Sequence, residues 1–178
     1  EDGPYRDYPA YDDVVQAMSG IAAAQAWMAG RPQYVAIGLV DKITGMMASL
    51  AISAALHQRS VSGAGCSIEV PMYETATAFG IVEHMMGRTF EPALGDAKYL
   101  RIASPVRRPF PTADGWIAVL VYTNEQWRRF LQLIGRTDLV ADPRYASLGA
   151  RNEHLTEVYG LVEETMGQET TAEWLRRL

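Results

Sequence analysis

Cysteine is almost missing from these 178 residues. Cys66 stands alone, so no internal disulfide can form, and a reducing cytoplasmic compartment is the expectation. It lies in Gly63-Ala-Gly-Cys-Ser-Ile-Glu-Val70 with no basic neighbour to favour the thiolate, and reads as a structural thiol rather than a nucleophile. Histidine is scarce too. His57, His84 and His154 are separated from one another and from Cys66, which predicts no zinc or other metal site. His57 reads as a helix C-terminal cap and His84 as a helix-surface residue. No uncharged apolar run reaches 18 residues, so no membrane span is expected. The start, Glu1 to Pro9, has neither the basic nor the apolar region of a signal peptide. It also lacks an initiator Met, which suggests a processed product or a fragment. A P-loop, a Gly-x-Ser-x-Gly elbow, internal repeats and low-complexity runs are all lacking. Basic charge is in deficit: a net charge of -5 argues against general affinity for nucleic acid or anionic membrane. Positive charge gathers only locally. Arg128-Arg129 and Arg176-Arg177 fall on helical patterns as solvated faces, whereas Arg101, Arg107 and Arg108 lie in a Pro-containing loop that could meet an anionic small molecule.

Apolar material is ample, at 48% of residues, and length allows one or two domains. The chain is organised around Tyr34 to His57. A short apolar run, Val35 to Val40, reaches one carboxylate, Asp41, after which Ile43, Met46, Met47, Leu50, Ala51, Ala54 and Ala55 recur at helical steps. Asp41 thus sits where a strand or loop hands over to a helix. Two readings stand side by side: an N-cap, for which Asp is favoured, or a carboxylate kept ionised by helix N–H groups and used as a nucleophile. Gly45 would let a bulky ligand approach the first turn.

Pro4 and Pro9 keep the Tyr-rich approach segment, Tyr5 to Tyr11, out of helix. Asp12 or Asp13 caps a predicted helix to about Met28, ended by Gly30. The many alanines after Asp41 imply a helix, closing near Arg59-Ser60, in close contact with a sheet or another helix. Cys66 to Val70 alternates like a strand, and Met72 to Met86 reads as a helix closed by Gly87. Residues 88–105 show no clear period and read as a linker. Beyond it, Arg107 to Pro111, the turn Thr112-Ala-Asp-Gly115 and Trp116 to Tyr122 predict a β-hairpin. Thr123-Asn-Glu-Gln126 and Thr170-Thr-Ala-Glu173 match capping boxes. Between them, Asp142 to Tyr145 is a turn and about Ala146 to Met166 a helix.

Five segments occur in a recognisable order: Tyr11-Asp-Asp-Val-Val-Gln-Ala-Met-Ser-Gly20, Asp41-Lys-Ile-Thr-Gly45, Gly63-Ala-Gly-Cys-Ser-Ile-Glu-Val-Pro-Met72, Asp114-Gly-Trp-Ile-Ala-Val119 and Asp142-Pro-Arg-Tyr-Ala146. Together they resemble the class III CoA-transferases (the CaiB/BaiF, formyl-CoA and carnitine type) from about Tyr8 to the C-terminus. The resemblance implies an α/β fold: part of a Rossmann-like large domain (1–87), a linker (88–105) and a smaller α+β domain (106–178). Family members are about twice this long, so a fragment of an interlocked homodimer is implied.

By the same resemblance Asp41 is the catalytic nucleophile, forming an aspartyl anhydride and then an aspartyl-CoA thioester. Coenzyme A enters as acyl-CoA, the second partner is a small carboxylic acid, and no metal, nucleic acid or membrane takes part. Tyr11, Asp12, Lys42, Gly45, Arg101 and Arg107 are the candidate substrate- and CoA-binding residues. Related α-methylacyl-CoA racemases pair this Asp with a His, whose place here is held by Tyr11, and a further acidic residue of theirs falls near Asn124. Transferase is therefore favoured over racemase, and a non-catalytic dimerisation or binding fragment is the rival from another class. The glycine-rich flap of the formyl-CoA enzymes is replaced by Arg101 to Arg108, where a guanidinium could pair with an acid substrate or make only a surface salt bridge.

Overall fold

The computed structural model describes residues 3–178; Glu1 and Asp2, part of the stretch read above for a leader, lie outside them. The described chain divides into two compact units, one ending at Tyr99 and the other spanning Leu100–Leu178. The fold is mixed but mostly helical, with one small two-stranded sheet among the described residues.

The first unit is built from four helices. In place of the single helix expected from residue 12 to 28 there are two, α1 (Asp12–Met18) and α2 (Ile21–Ala29). Gly20 separates them at φ +86, a left-handed conformation that disfavours any residue with a Cβ. Helix α3 (Leu39–Ser62) closes on Gly63 at φ +73, whose N–H donates to the Arg59 carbonyl. His57 is therefore an exposed residue within α3 and not its cap. Helix α4 (Met72–Gly80) ends earlier than expected, and two 3-10 turns, Val82–His84 and Met86–Thr89, follow it. Val15, Ile21, Val40, Ile43 and Ala76 form the buried centre, with Val35, Leu39 and Met72 packed on it.

Neither expected strand of this unit forms. The Val35 N–H donates to the Gln16 side chain, Ile37 N–H to Val35 O and Leu39 N–H to Ile37 O, so the donors turn onto α1 or back on the segment itself. Residues 64–70 run without helix or ladder, and Cys66 is exposed. A strand needs a neighbour to complete its hydrogen bonds, and the described residues offer these two segments none.

Helix α3 presents two unlike faces. Ile43, Thr44, Ala48, Ala51 and Ala55 are buried or half-buried at helical spacing, and the small side chains let α4 come close. Met46, Leu50, Leu56 and Val61, by contrast, are more than half exposed. By length and composition α3 is long and apolar enough to cross a membrane, which the search for an uncharged run did not indicate. Charges near both ends, at Asp41, Lys42 and Arg59, explain the difference. The stretch without them or His57 is Ile43 to Leu56, short of the roughly 20 apolar residues a bilayer needs.

The second unit opens on the predicted hairpin, shorter than expected. β1 (Phe110–Pro111) pairs antiparallel with β2 (Trp116–Ile117), with Phe110 opposite Ile117. Beyond Ile117 the chain stays unladdered to Tyr122 while Val119 and Val121 still lean on the core. The turn is clasped from outside: Asp114 accepts from the Thr171 N–H at 2.8 Å and from the Thr112 hydroxyl at 3.2 Å. Helix α5 (Asn124–Leu133) starts with both halves of the predicted capping box, Thr123 accepting from Gln126 N–H and the Gln126 side chain accepting from Thr123 N–H. The one helix expected from 146 to 166 is α6 (Leu148–Glu153) and α7 (Leu155–Met166), interrupted at His154. Helix α8 (Thr171–Arg177) follows the Thr170 cap, whose hydroxyl accepts from Glu173 N–H. Phe110, Trp127, Phe130, Leu131, Val158, Met166 and Trp174 fill the interior.

One charge lies inside this unit. Arg151 is only 4% exposed and donates to Tyr145 O at 2.8 Å, Asn124 Oδ1 at 3.0 Å and Tyr122 O at 3.1 Å. Its guanidinium also stands 5.8 Å from the Trp127 ring centroid. One planar fork thus joins the start of α5 to the turn before α6. Removing it leaves two carbonyls and an amide without a donor. Arg151→Met is expected to lower unfolding free energy by about 2–4 kcal/mol. Arg128→Ala, which breaks an exposed pair with Glu125 and a bond to the Gln132 side chain, should cost far less in the same urea titration.

Surface carboxylates give this unit its response to acid. The Arg144 side chain and N–H hold Asp142 down from an ordinary 3.8 to about 2, and Arg128 and Arg129 do the same to Glu125 from 4.5. Folded values below unfolded ones mean stability present above the ordinary range and lost as protons bind the folded form. The melting temperature should therefore fall as pH drops from about 4.5 to about 2. Thermal melts of Asp142→Asn across that window should show a shallower decline than the parent.

Candidate active site

The site is assembled where α1 meets the start of α3. Helix α1 begins after Tyr11, whose extended backbone makes it the N-cap, with no side chain serving as cap. Asp12 and Asp13 occupy its first turn and neither is its cap, contrary to expectation. Asp12 instead caps α3. Its Oδ1 accepts from Val40 N–H at 2.7 Å and Asp41 N–H at 3.1 Å, while Oδ2 accepts from Gln16 Nε2 at 2.6 Å. Gln16, one turn later on α1 and fully buried, accepts from Val35 N–H through Oε1 at 2.9 Å. Burial pushes the Asp12 carboxyl up, but the Gln16 amide, the Asp41 and Val40 N–H groups and nearby Lys42 outweigh it and leave it below the usual carboxylate range.

Asp41 is consequently not the N-cap. That position belongs to Gly38, and Asp41 lies in the first turn, exposed, with its nearby N–H groups given to Asp12. Three charged groups converge on Gly38. A Cβ there would meet Lys42 Nζ at 3.6 Å, Asp41 Oδ2 at 3.7 Å and Asp12 Oδ1 at 3.8 Å. Lys42 Nζ also donates to Gly38 O at 3.2 Å. One turn along, Gly45 is exposed and a Cβ on it would touch nothing within 4 Å, so the first turns of α3 are open to a large ligand. The Thr44 hydroxyl is a buried oxygen without a hydrogen-bond partner. Tyr11 is 71% exposed.

The structure thus gathers Tyr11, Asp12, Asp41, Lys42 and Gly45 within the first unit. Arg101 and Arg107 belong to the second, where Arg101 stands 5.7 Å from the Tyr122 ring centroid and Arg107 is exposed. Arg108 is engaged bidentately by Glu163, at 2.8 and 3.0 Å. Asn124 serves Arg151, as described. His84 departs from its expected surface place: it is 7% exposed, its Nδ1 accepts from Tyr99 N–H, and its ring meets Trp27 edge-on. A groove of about 570 Å³ is lined wholly by second-unit residues such as Val119, Phe130 and Leu175, and so contains none of the Asp41 cluster. Sequence reading missed Gln16 and Gly38. The Asp-x-x-x-Gln spacing and a glycine just before the helical period were the available signals.

Known proteins resemble this chain in sequence and in fold. The profile of CoA-transferase family III matches residues 1–178. The probable fatty acyl-CoA transferase Rv3272 of Mycobacterium tuberculosis is 30% identical over 99% of this chain and 47% of its own length. The succinyl-CoA–D-citramalate CoA-transferase of Chloroflexus aurantiacus is 30% identical over 90% of this chain and 40% of its own length. The formyl-CoA:oxalate CoA-transferase of Streptomyces avermitilis is 29% identical, over 92% and 44%. This chain therefore spans less than half the length of these curated relatives. A crystal structure of Rv3272 superposes with a TM-score of 0.79 at 28% identity, covering 99% of this chain and 46% of that one. A CAIB/BAIF family protein from Brucella suis shares the fold, with a TM-score of 0.73 at 23% identity and coverage of 98% and 46%. On the match across its whole length and on these relatives, the chain belongs to CoA-transferase family III.

Proposed function

We propose that the whole protein is an acyl-CoA:carboxylate CoA-transferase with Asp41 as its nucleophile. The observation that carries the reading is the exposed carboxylate in the first turn of α3, beside the bare Gly38 and the open Gly45. An Asp41 oxygen attacks the thioester carbonyl of the donor; the C–S bond breaks and CoA leaves as a thiolate, giving an aspartyl anhydride. The thiolate returns to the aspartyl carbonyl and releases the donor acid, leaving an aspartyl-CoA thioester. An acceptor carboxylate then attacks that thioester and the two exchanges run in reverse, which regenerates Asp41 with no net proton or electron consumed. Lys42, which donates to Gly38 O and whose charge lowers the Asp12 carboxyl, supplies positive charge for the oxyanions formed. Relatives named for succinyl-CoA and for formyl-CoA and oxalate favour small acids as partners. By the family resemblance, Arg101 and Arg107 are the guanidinium groups assigned to an acid's second carboxylate.

In this reading the first unit belongs to the later part of a Rossmann-like large domain and the second to a small α+β domain, with residues 88–105 as the linker between those domains. The whole protein is a cytoplasmic, interlocked homodimer in this reading. The exposed apolar face of α3 supports it, since a larger assembly would cover Met46, Leu50 and Leu56.

In the whole protein, Asp41→Ala and Asp41→Asn are expected to abolish transfer while the melting temperature stays close to the parent's, because the cap is supplied by Asp12. Hydroxylamine added during turnover should convert Asp41 to the hydroxamate, read by peptide mass spectrometry. Full turnover by the Asn variant would remove Asp41 from the chemistry.

Racemase and transferase separate on one proton. Tyr11 stands where the racemases carry a His, so the imidazole that would take the proton is missing. No deuterium should enter the α-carbon of a 2-methylacyl-CoA incubated with the protein in D₂O, and rapid exchange there would transfer the assignment to the racemase.

A further inference from the structure

Asp12 was assigned to substrate on its place in the sequence, but both oxygens of its carboxylate accept hydrogen bonds from the protein. From that geometry, and resting on the reading of Asp41 as nucleophile, we infer that Asp12 and Gln16 are positioning residues that set Asp41 by clamping both ends of the segment before it. Gln16 holds the entrance at Val35 N–H and Asp12 holds the exit at Val40 and Asp41 N–H. The two are joined to each other by the 2.6 Å bond from Gln16 Nε2 to Asp12 Oδ2.

The polarity of this chain of bonds dictates the residue types. Three donors point at position 12: the Gln16 amide and two backbone N–H groups. Only a group that accepts on both oxygens satisfies all three, so a carboxylate is required and an amide is not equivalent. Position 16 must accept from Val35 on one side and donate to position 12 on the other, which an amide does and a carboxylate does not. Gln16 is fully buried, so a mismatch cannot be relieved by water. Substrate need never touch either residue for both to govern the reaction: they fix where the first turn of α3, and with it the Asp41 side chain, is held.

The same polarity supplies the test. Asp12→Asn sets two amides donor to donor, and Gln16→Glu sets two carboxylates face to face. Combining the two substitutions reverses the direction of the bond between them. The new amide at position 12 then donates to the new carboxylate at position 16, which still accepts from Val35 N–H. The amide oxygen at position 12 accepts from Val40 and Asp41 N–H, so every partner is restored. In the whole protein each single variant should lower kcat about tenfold to a hundredfold with KM for acyl-CoA changed little. The double variant should recover most of that loss. Hydrogen exchange at the Val40 and Asp41 amides should speed up in each single variant and slow again in the double, a readout independent of activity. Two impaired singles with no recovery in the double, by either measure, would overturn the clamp. Unchanged kcat and unchanged exchange in Asp12→Asn would overturn it too. Parental hydroxylamine labelling of Asp41 keeps the questions apart. Failure to label the parent overturns the nucleophile, and the positioning role with it, whereas labelling with no effect in the variants overturns positioning alone.

Discussion

One carboxylate ties the first unit together. Asp12 faces three donors, and two of them are the N–H groups that α3 cannot satisfy within itself. A helix usually takes its cap from the residue just before it; α3 has Gly38 there, with no side chain to offer. The cap comes from 28 residues earlier, on another helix. Local structure and tertiary packing are thereby made the same event, because α3 is completed at its start only when α1 lies against it. The arrangement also frees the Asp41 side chain from capping duty. A carboxylate consumed by its own helix terminus would be a poorer nucleophile than one left to the solvent side of that turn.

The second unit uses polar contacts differently. Its interior is a continuous aromatic and aliphatic cluster, and the charges that matter are fasteners at its margin. Asp114 pins the hairpin turn to α8, and Arg151 pins the strand exit to α6. Each connects segments distant in sequence by bonding a backbone group, with one side-chain partner beside it, Thr112 for Asp114 and Asn124 for Arg151. Only Arg151 is itself buried, and its desolvation is offset by three acceptors and the Trp127 ring rather than by an opposite charge.

Local signals in the sequence translated well. Thr123 and Thr170 cap the helices their spacing announced, and the turn at Thr112–Gly115 joins the strands it was read to join. Breaks were harder: Gly20 and His154 divide helices whose apolar period runs straight through them. The strand expected at Cys66, and the strand or loop at Val35, form no ladder because an extended, apolar run becomes a strand only beside a partner, and composition does not reveal one. At the site, the helix carrying Asp41 and the openness at Gly45 could be read from the chain, but the role of Asp12 could not. Its bonds span 28 and 29 residues, a separation at which spacing carries no information about contact. The family resemblance pointed to Tyr11, Asp12, Asp41 and Lys42 together, but gave no sign that Asp12 bonds the start of α3.

Helix α3 is gripped at one end and along its alanine-lined flank, while its last turns, from Leu56 to Ser62, are exposed on every side. Mechanically it is a cantilever with its root at Asp12. Asp41 sits at the root. The grip of Asp12 therefore falls on the end of this long helix that carries Asp41.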